Sequence, residues 1–199
     1  MAVITTEMVK QLREKTGAGM MDCKRALEET GGNADQAIEY LRKKGAATAA
    51  KRADKETNQG VVEAYIHAGG RIGSMVELNC ETDFVAKTPE FKQLAHDIAM
   101  QIAAMSPHYI SREQVSKEAV DKELEIYKSQ AANEGKPASI AEKIAQGRLE
   151  KFYQEVVLME QSFIKDSGKT IKDLIDEQTA KVGEKISIRR FHRYHLGEN

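Results

Sequence analysis

Between residues 60 and 79 the hydrophobic pattern changes its period, and that change constrains the fold more than any other feature of the chain. Val62, Ala64 and Ile66 alternate with Glu63, Tyr65 and His67. Ile72, Ser74, Val76 and Leu78 alternate with Arg71, Gly73, Met75 and Glu77. A period of two sends successive side chains to opposite faces of a strand. Ala68-Gly69-Gly70 between the two runs makes a turn, because glycine takes backbone angles closed to other residues. The segment is therefore expected to form a β-hairpin, with Val62, Ala64 and Ile66 on the buried face of its first strand. A lone hairpin is marginal in water and needs helices or more strands against it.

Those helices are legible on both sides. Residues 1–45 read as three short helices. Met8, Val9 and Leu12 stripe the first, with Thr6 as its cap and Thr16-Gly17-Ala18-Gly19 as its stop. Met21, Cys23, Ala26 and Leu27 mark the second, up to Gly31-Gly32. Asn33, with Gln36 three residues on, caps a third that carries Ala37, Ile38 and Leu41 and ends at Gly45. Residues 46–58, Ala-rich and then charged, form a connector. After the hairpin, Asn79 to Lys87 reads as a loop. Thr88 then caps a helix with Pro89 in its first position and Phe91, Leu94, Ile98, Ile102 and Met105 on one face. A further helix runs from about Ser116 to Asn133, and another starts at the Ser139 and Glu142 capping spacing. Val156 to Met159 suits a short extended segment. Thr170 to Val182 suits a helix stopped by Gly183, and Lys185 to Leu196 suits a long strand with Ile186 and Ile188 inward. The expected architecture is α+β: an N-terminal three-helix domain over 1–45, a connector over 46–58, and a core over 59–199 of antiparallel sheet packed with helices.

Composition narrows the function. Lys and Arg number 30 against 31 Asp and Glu, for a net charge of -1, so no overall field draws the chain to nucleic acid. Two cysteines, Cys23 and Cys80, make no disulfide framework and fit a reducing compartment. The first residues lack a basic segment followed by an apolar run, and no stretch is long and apolar enough to span a membrane. A cytoplasmic protein is expected.

The search for chemistry comes back empty. There is no Walker-type glycine loop, no dinucleotide fingerprint and no Gly-x-Ser-x-Gly elbow. Cys23 and Cys80 read as buried structural thiols. His192 and His195 point to opposite faces of a strand, and His67, His96 and His108 have no ligand spacing. No metal, no cofactor and no covalent catalysis are expected. Lys185, Arg189, Arg190 and Arg193 gather positive charge, either as a phosphate-binding strip or as a solvated, ion-paired strand. Met20 and Met21 are adjacent at the start of a helix, so one of them is expected to face water. Phe84 and Val85 stand among Glu81, Thr82, Asp83 and Lys87. Phe84 either folds back onto its own core or stands out as an aromatic anchor for a partner, and spacing alone leaves both open. On residues alone three functions compete: a protein adaptor built on the three helices, a nucleic-acid binder using the basic tail, and a hydrolase using Cys80.

Longer motifs are more specific. Residues 9–27, VKQLREKTGAGMMDCKRAL, closely resemble the opening of the bacterial translation elongation factor Ts family. Residues 79–87, NCETDFVAK, resemble that family's second hallmark, and 71–87 and 139–152 extend the likeness over nearly the whole chain. The first three helices resemble the ubiquitin-associated fold that the family carries at its N-terminus. The resemblance implies a guanine-nucleotide exchange factor that binds elongation factor Tu·GDP and nucleotide-free Tu, without contacting nucleic acid or membrane. It implies that Thr82, Asp83, Phe84 and Val85 meet the Tu G-domain near its magnesium site, with Phe84 as a wedge between two Tu helices and Asp83 making polar contacts. It offers Met20 and Met21 as contacts of the N-terminal domain. Longer members carry a duplicated core, whereas here the core occurs once, like the family's short form. A homodimer that restores the missing half is the corresponding expectation.

Overall fold

The computed structural model describes residues 3–198. Its elements in chain order are α1 (Thr6–Thr16), α2 (Met20–Glu29), α3 (Ala34–Lys51), β1 (Gln59–Ile66), β2 (Ile72–Cys80), α4 (Asp83–Ala86), α5 (Pro89–Met105), α6 (Lys117–Asn133), α7 (Ala138–Val156), β3 (Ser162–Phe163), β4 (Asp166–Thr170), α8 (Ile171–Val182) and β5 (Ile186–His195). One sheet has the strand order β1-β2-β5, and β3 pairs with β4 in a second. The class is α+β, as the pattern requires. The hairpin closes through the His67 N–H on the Ile72 carbonyl at 2.8 Å. Lys185 at the start of β5 lies beside Glu81 past the end of β2, and the Leu196 N–H beyond β5 donates to the Arg71 carbonyl ahead of β2. β5 therefore runs antiparallel to β2. Among the described residues no helix is long and apolar enough to cross a membrane.

The chain divides into two compact units. The first combines Met1–Glu63, Val76–His96 and Asp173–Arg189. Its N-terminal bundle buries Val9, Leu12, Cys23, Ala26, Leu27 and Ala37, with Ile38 and Leu41 packed against them. Such short helices are held by this packing rather than by their own propensity. α1 is capped by Thr5, one residue earlier than expected, whose hydroxyl accepts from the Met8 N–H at 3.3 Å. Asn33 caps α3 as expected, accepting from the Gln36 N–H at 3.0 Å.

Gly45 does not end α3, which continues to Lys51 through half of the expected connector. It is buried, and a Cβ there would meet the Asp176 backbone carbonyl of α8 at 3.5 Å. The missing side chain is used for a close helix crossing instead of a stop.

β1 presents the opposite face from the one expected. Val61, Glu63 and Tyr65 are half-buried, whereas Val62 and Ile66 are 61% and 67% exposed. Apolar residues stand next to each other at Val61-Val62 and Tyr65-Ile66, so either register offers an apolar face. Glu63 turns inward to pair with His96 of α5 at 3.0 Å. β2 buries Ser74, Val76 and Leu78 as expected.

The second unit combines Ala64–Met75, Asp97–Lys172 and Arg190–Asn199. α6 and α7 form a helical hairpin around Ala131, Ala141, Ala145 and Leu149. α7 begins at Ala138 after Pro137, without a side-chain cap, so Ser139 lies inside the helix and not at its start. Of residues 156–159 only Val157 is extended, bridging to Tyr109; α7 runs to Val156 and a 3-10 turn covers Leu158–Glu160. Arg112 grips that turn and α7 together, pairing with Glu160 and Glu150 and stacking on Tyr153 at 4.3 Å. Buried Gln101 and Gln161 bond to each other at 3.2 Å. Gln101 also takes the Ile164 N–H, and Gln161 donates to the Glu155 carbonyl, so these polar side chains are paid off internally.

Candidate functional site

The segment expected to be a loop is a single helical turn. α4 spans four residues, Asp83–Ala86, with Thr82 in extended conformation as its N-cap. Buried Ala86 anchors it to the core. Lys87 is its C-cap, and Thr88 ties it to the start of α5: the Thr88 hydroxyl donates to the Val85 carbonyl at 2.8 Å and accepts from the Phe91 N–H at 3.3 Å. The cap expected for α5 is therefore present, and it serves two helices.

On this turn Phe84 is 80% exposed. Of the two readings left open by the sequence, the structure takes the outward one. Burying a Phe is worth about 1.5–3 kcal/mol, and the free chain forgoes that. Val85 beside it is half-buried. Asp83 pairs with Lys87 one turn on at 2.6 Å, and the Lys87 ammonium holds the Asp83 carboxyl below its ordinary range. The turn thus offers one bare aromatic ring flanked by a fixed carboxylate and an exposed cation.

What holds the turn comes from far along the chain. The Thr82 N–H and hydroxyl both donate to the Glu184 carboxylate, at 3.0 and 2.7 Å. Glu81 accepts from Arg52 at 2.7 and 2.9 Å and from the Lys185 N–H at 2.6 Å. These bonds, the Lys185 one first, hold the Glu81 carboxyl below its ordinary range. The Cys80 thiol donates to the Thr82 carbonyl at 3.1 Å. Burial, seconded by the Glu184 charge, pushes that thiol up to about 11. Sequence reasoning named Lys185 only within the basic strip and Cys80 only as a buried thiol, and it singled out neither Glu184 nor Arg52. Glu184 and Lys185 lie more than a hundred residues from the turn, and no local pattern marks them.

Met20 and Met21 open α2. Both are exposed, at 39% and 68%, where only one was expected to be. The first turn of a helix has its neighbours on one side only, so adjacent residues there escape burial together. Asp22 pairs with Lys44 of α3 at 2.5 Å, fixing the end of α2 that carries them. The structure gathers Thr82, Asp83, Phe84 and Val85 on one turn. It places Met20 and Met21 on a separate element of the same compact unit.

The other candidates resolve into structure. Cys23 and Cys80 are buried and free. Among the described residues no group of three or more His, Cys, Asp or Glu side chains could hold a metal ion. The basic strand is engaged internally. The Lys185 ammonium donates to the Ala53 and Lys55 carbonyls, Arg189 lies 3.6 Å from Glu77, and Arg193 reaches the Ala103 carbonyl and Glu198.

Comparison with known proteins gives a uniform answer. The family model described as Elongation factor TS matches residues 4–198. Elongation factor Ts of Carboxydothermus hydrogenoformans is 63% identical over 196 residues, 98% of this chain and 90% of that protein. That of Desulforamulus reducens is 61% identical over 198 residues, 100% of this chain and 91% of that protein. That of Moorella thermoacetica is 61% identical over 196 residues, 98% of this chain and 97% of that protein.

Proposed function

The chain belongs to the elongation factor Ts family, and from that membership we propose that it is a guanine-nucleotide exchange factor, binding elongation factor Tu·GDP and promoting GDP release during translation elongation in the cytoplasm. The observation that carries the reading is Phe84, 80% exposed on a turn fixed from both ends. Exposed aromatic side chains on rigid supports are the usual anchors of protein interfaces. The function asks for no bond to be made or broken in this chain. A protein that binds nucleotide-free Tu more tightly than Tu·GDP weakens GDP binding by that same factor.

In detail, Phe84 enters between two helices of the Tu G-domain, while Thr82, Asp83 and Val85 seat the turn beside it. The displaced Tu elements lose their magnesium ion and relax the phosphate-binding loop. A small displacement suffices, because magnesium tolerates little departure from near-ideal octahedral oxygen geometry. Met20 and Met21 supply a second contact from the N-terminal domain, whose flexible thioethers adapt to a partner surface. The division proposed for this work is the recognition domain at 1–45, its connector at 46–58 and the core at 59–199.

The same proposal includes a homodimer. In the second unit, Ile66, Tyr194 and Leu196 are 67%, 69% and 64% exposed, and with Ala64 and Met75 they line one apolar concavity. A second copy of this chain is the occupant proposed for it. The exchange reading is tested by release of a fluorescent GDP analogue from purified Tu. Addition of the chain is expected to speed release by tenfold or more, a gain on the order of ordinary coupling energies. A release rate indifferent to the chain would remove the exchange reading.

A further inference from the structure

The exposed turn cannot hold its own shape. Four residues form little more than the nucleus of a helix, and that first turn is unfavourable without outside support. The usual local support is missing: Thr82 sits at the N-cap, but its side chain accepts no bond from the turn. Its hydroxyl donates outward to Glu184 instead, as does its backbone N–H. Phe84, left free, gains by turning inward. Something must therefore make the outward conformation the stable one.

Residues 184 and 185 are built to do so. Gly183, at φ +73°, ends α8 in the left-handed region, with its N–H on the Thr179 carbonyl. The chain then delivers Glu184 and Lys185 side by side to the residues before the turn. The exchange is reciprocal: the Glu184 carboxylate takes both donors of Thr82, and the Lys185 N–H gives to the Glu81 carboxylate. Glu81 in turn takes Arg52, the C-cap of α3, with both oxygens. Bonds to a carboxylate are stronger than neutral ones. Three segments of the chain, at 52, 81–82 and 184–185, thus meet at the base of one turn. We propose that Glu184, supported by the Glu81–Arg52–Lys185 cluster, is a positioning residue that keeps the α4 turn set with Phe84 outward; this rests on reading Phe84 as the partner contact. In this role Glu184 works through Phe84.

The test compares the full-length chain with Glu184→Ala, Glu184→Gln, Phe84→Ala and the Glu184→Ala/Phe84→Ala double variant. Amide hydrogen exchange is followed in the free proteins, and fluorescent GDP release is titrated on Tu. Loss of the brace is expected to speed exchange at the hydrogen-bonded 86–88 amides roughly tenfold, as expected for charged hydrogen bonds. The concentration of half-maximal stimulation rises by a similar factor while the plateau rate holds, because the outward state becomes a smaller fraction of the population. Glu184→Gln, whose amide oxygen still accepts one bond, falls between the two and serves if the alanine variant folds poorly. The double variant stimulates no less than Phe84→Ala alone, since both changes act on one side chain. Unaltered protection at 86–88, or losses that multiply in the double variant, would overturn the positioning role. A Phe84→Ala variant as active as wild type would instead overturn the reading of Phe84 and the functional part of this inference, while the amide data still report on the brace.

Discussion

Phe84 and Cys80 lie four residues apart and are treated in opposite ways: the ring is left in water and the thiol is sealed. Cys80 is fully buried, and burial pushes it from the ordinary thiol value of 9.0 to about 11. It is a neutral hydrogen-bond donor at physiological pH and not a nucleophile, since the thiolate is the reactive form. Its titration has a definite consequence for stability. Between about 9.0 and 11 the unfolded chain has released this proton and the folded chain has kept it. The folded state then binds more protons, so stability falls as pH rises through that window. The urea midpoint should drop over this range in wild type and drop less in Cys80→Ala. Equal declines in the two proteins would show that the thiol is not the cause. Glu81 gives the opposite limb. Its lowered folded value stabilises the protein above the ordinary carboxylate value of 4.5, and that stability is lost as pH falls through the folded value.

At the level of elements, periodicity makes the helices and the hairpin legible, because burial imposes a period of 3.6 or 2 on whichever residues face the core. It fails where a residue has two uses. Gly45 carries the signal of a helix stop, yet it stands inside α3 against the Asp176 carbonyl of α8. Nothing local separates a glycine that stops a helix from one that lets another backbone approach. The geometry makes a sharp prediction. A Cβ at 45 would lie 3.5 Å from that carbonyl, an ordinary contact. Gly45→Ala should therefore keep the crossing and add up to about 1 kcal/mol of helix propensity. Gly45→Leu should overpack it and cost about 1–3 kcal/mol. Denaturant unfolding distinguishes these, and an alanine variant as unstable as the leucine one would contradict the crossing. The same limit explains β1, where adjacent apolar pairs fit either face, and α4, where four residues show no period at all. The candidate residues 82–85 were legible as a motif. Their brace from Glu184 and Lys185 was not, because a contact across a hundred residues leaves no trace in local spacing.

At the level of the whole molecule, each compact unit is assembled from three stretches of chain, and β1, β2, α5, α8 and β5 each contribute residues to both. The proposed dimer belongs to this scale. Light scattering at high micromolar concentration should give twice the chain mass of 22.2 kDa, and 22.2 kDa there would remove the dimer. The exchange activity belongs to the same scale, and its most direct test is stopped-flow release of fluorescent GDP from elongation factor Tu by wild type and by Phe84→Ala. Wild type should accelerate release, and Phe84→Ala should lose roughly 30-fold of the effect, the weight of a single interface anchor. Equal rates for the two proteins would contradict the role given to Phe84, and no acceleration by wild type would contradict the exchange function itself.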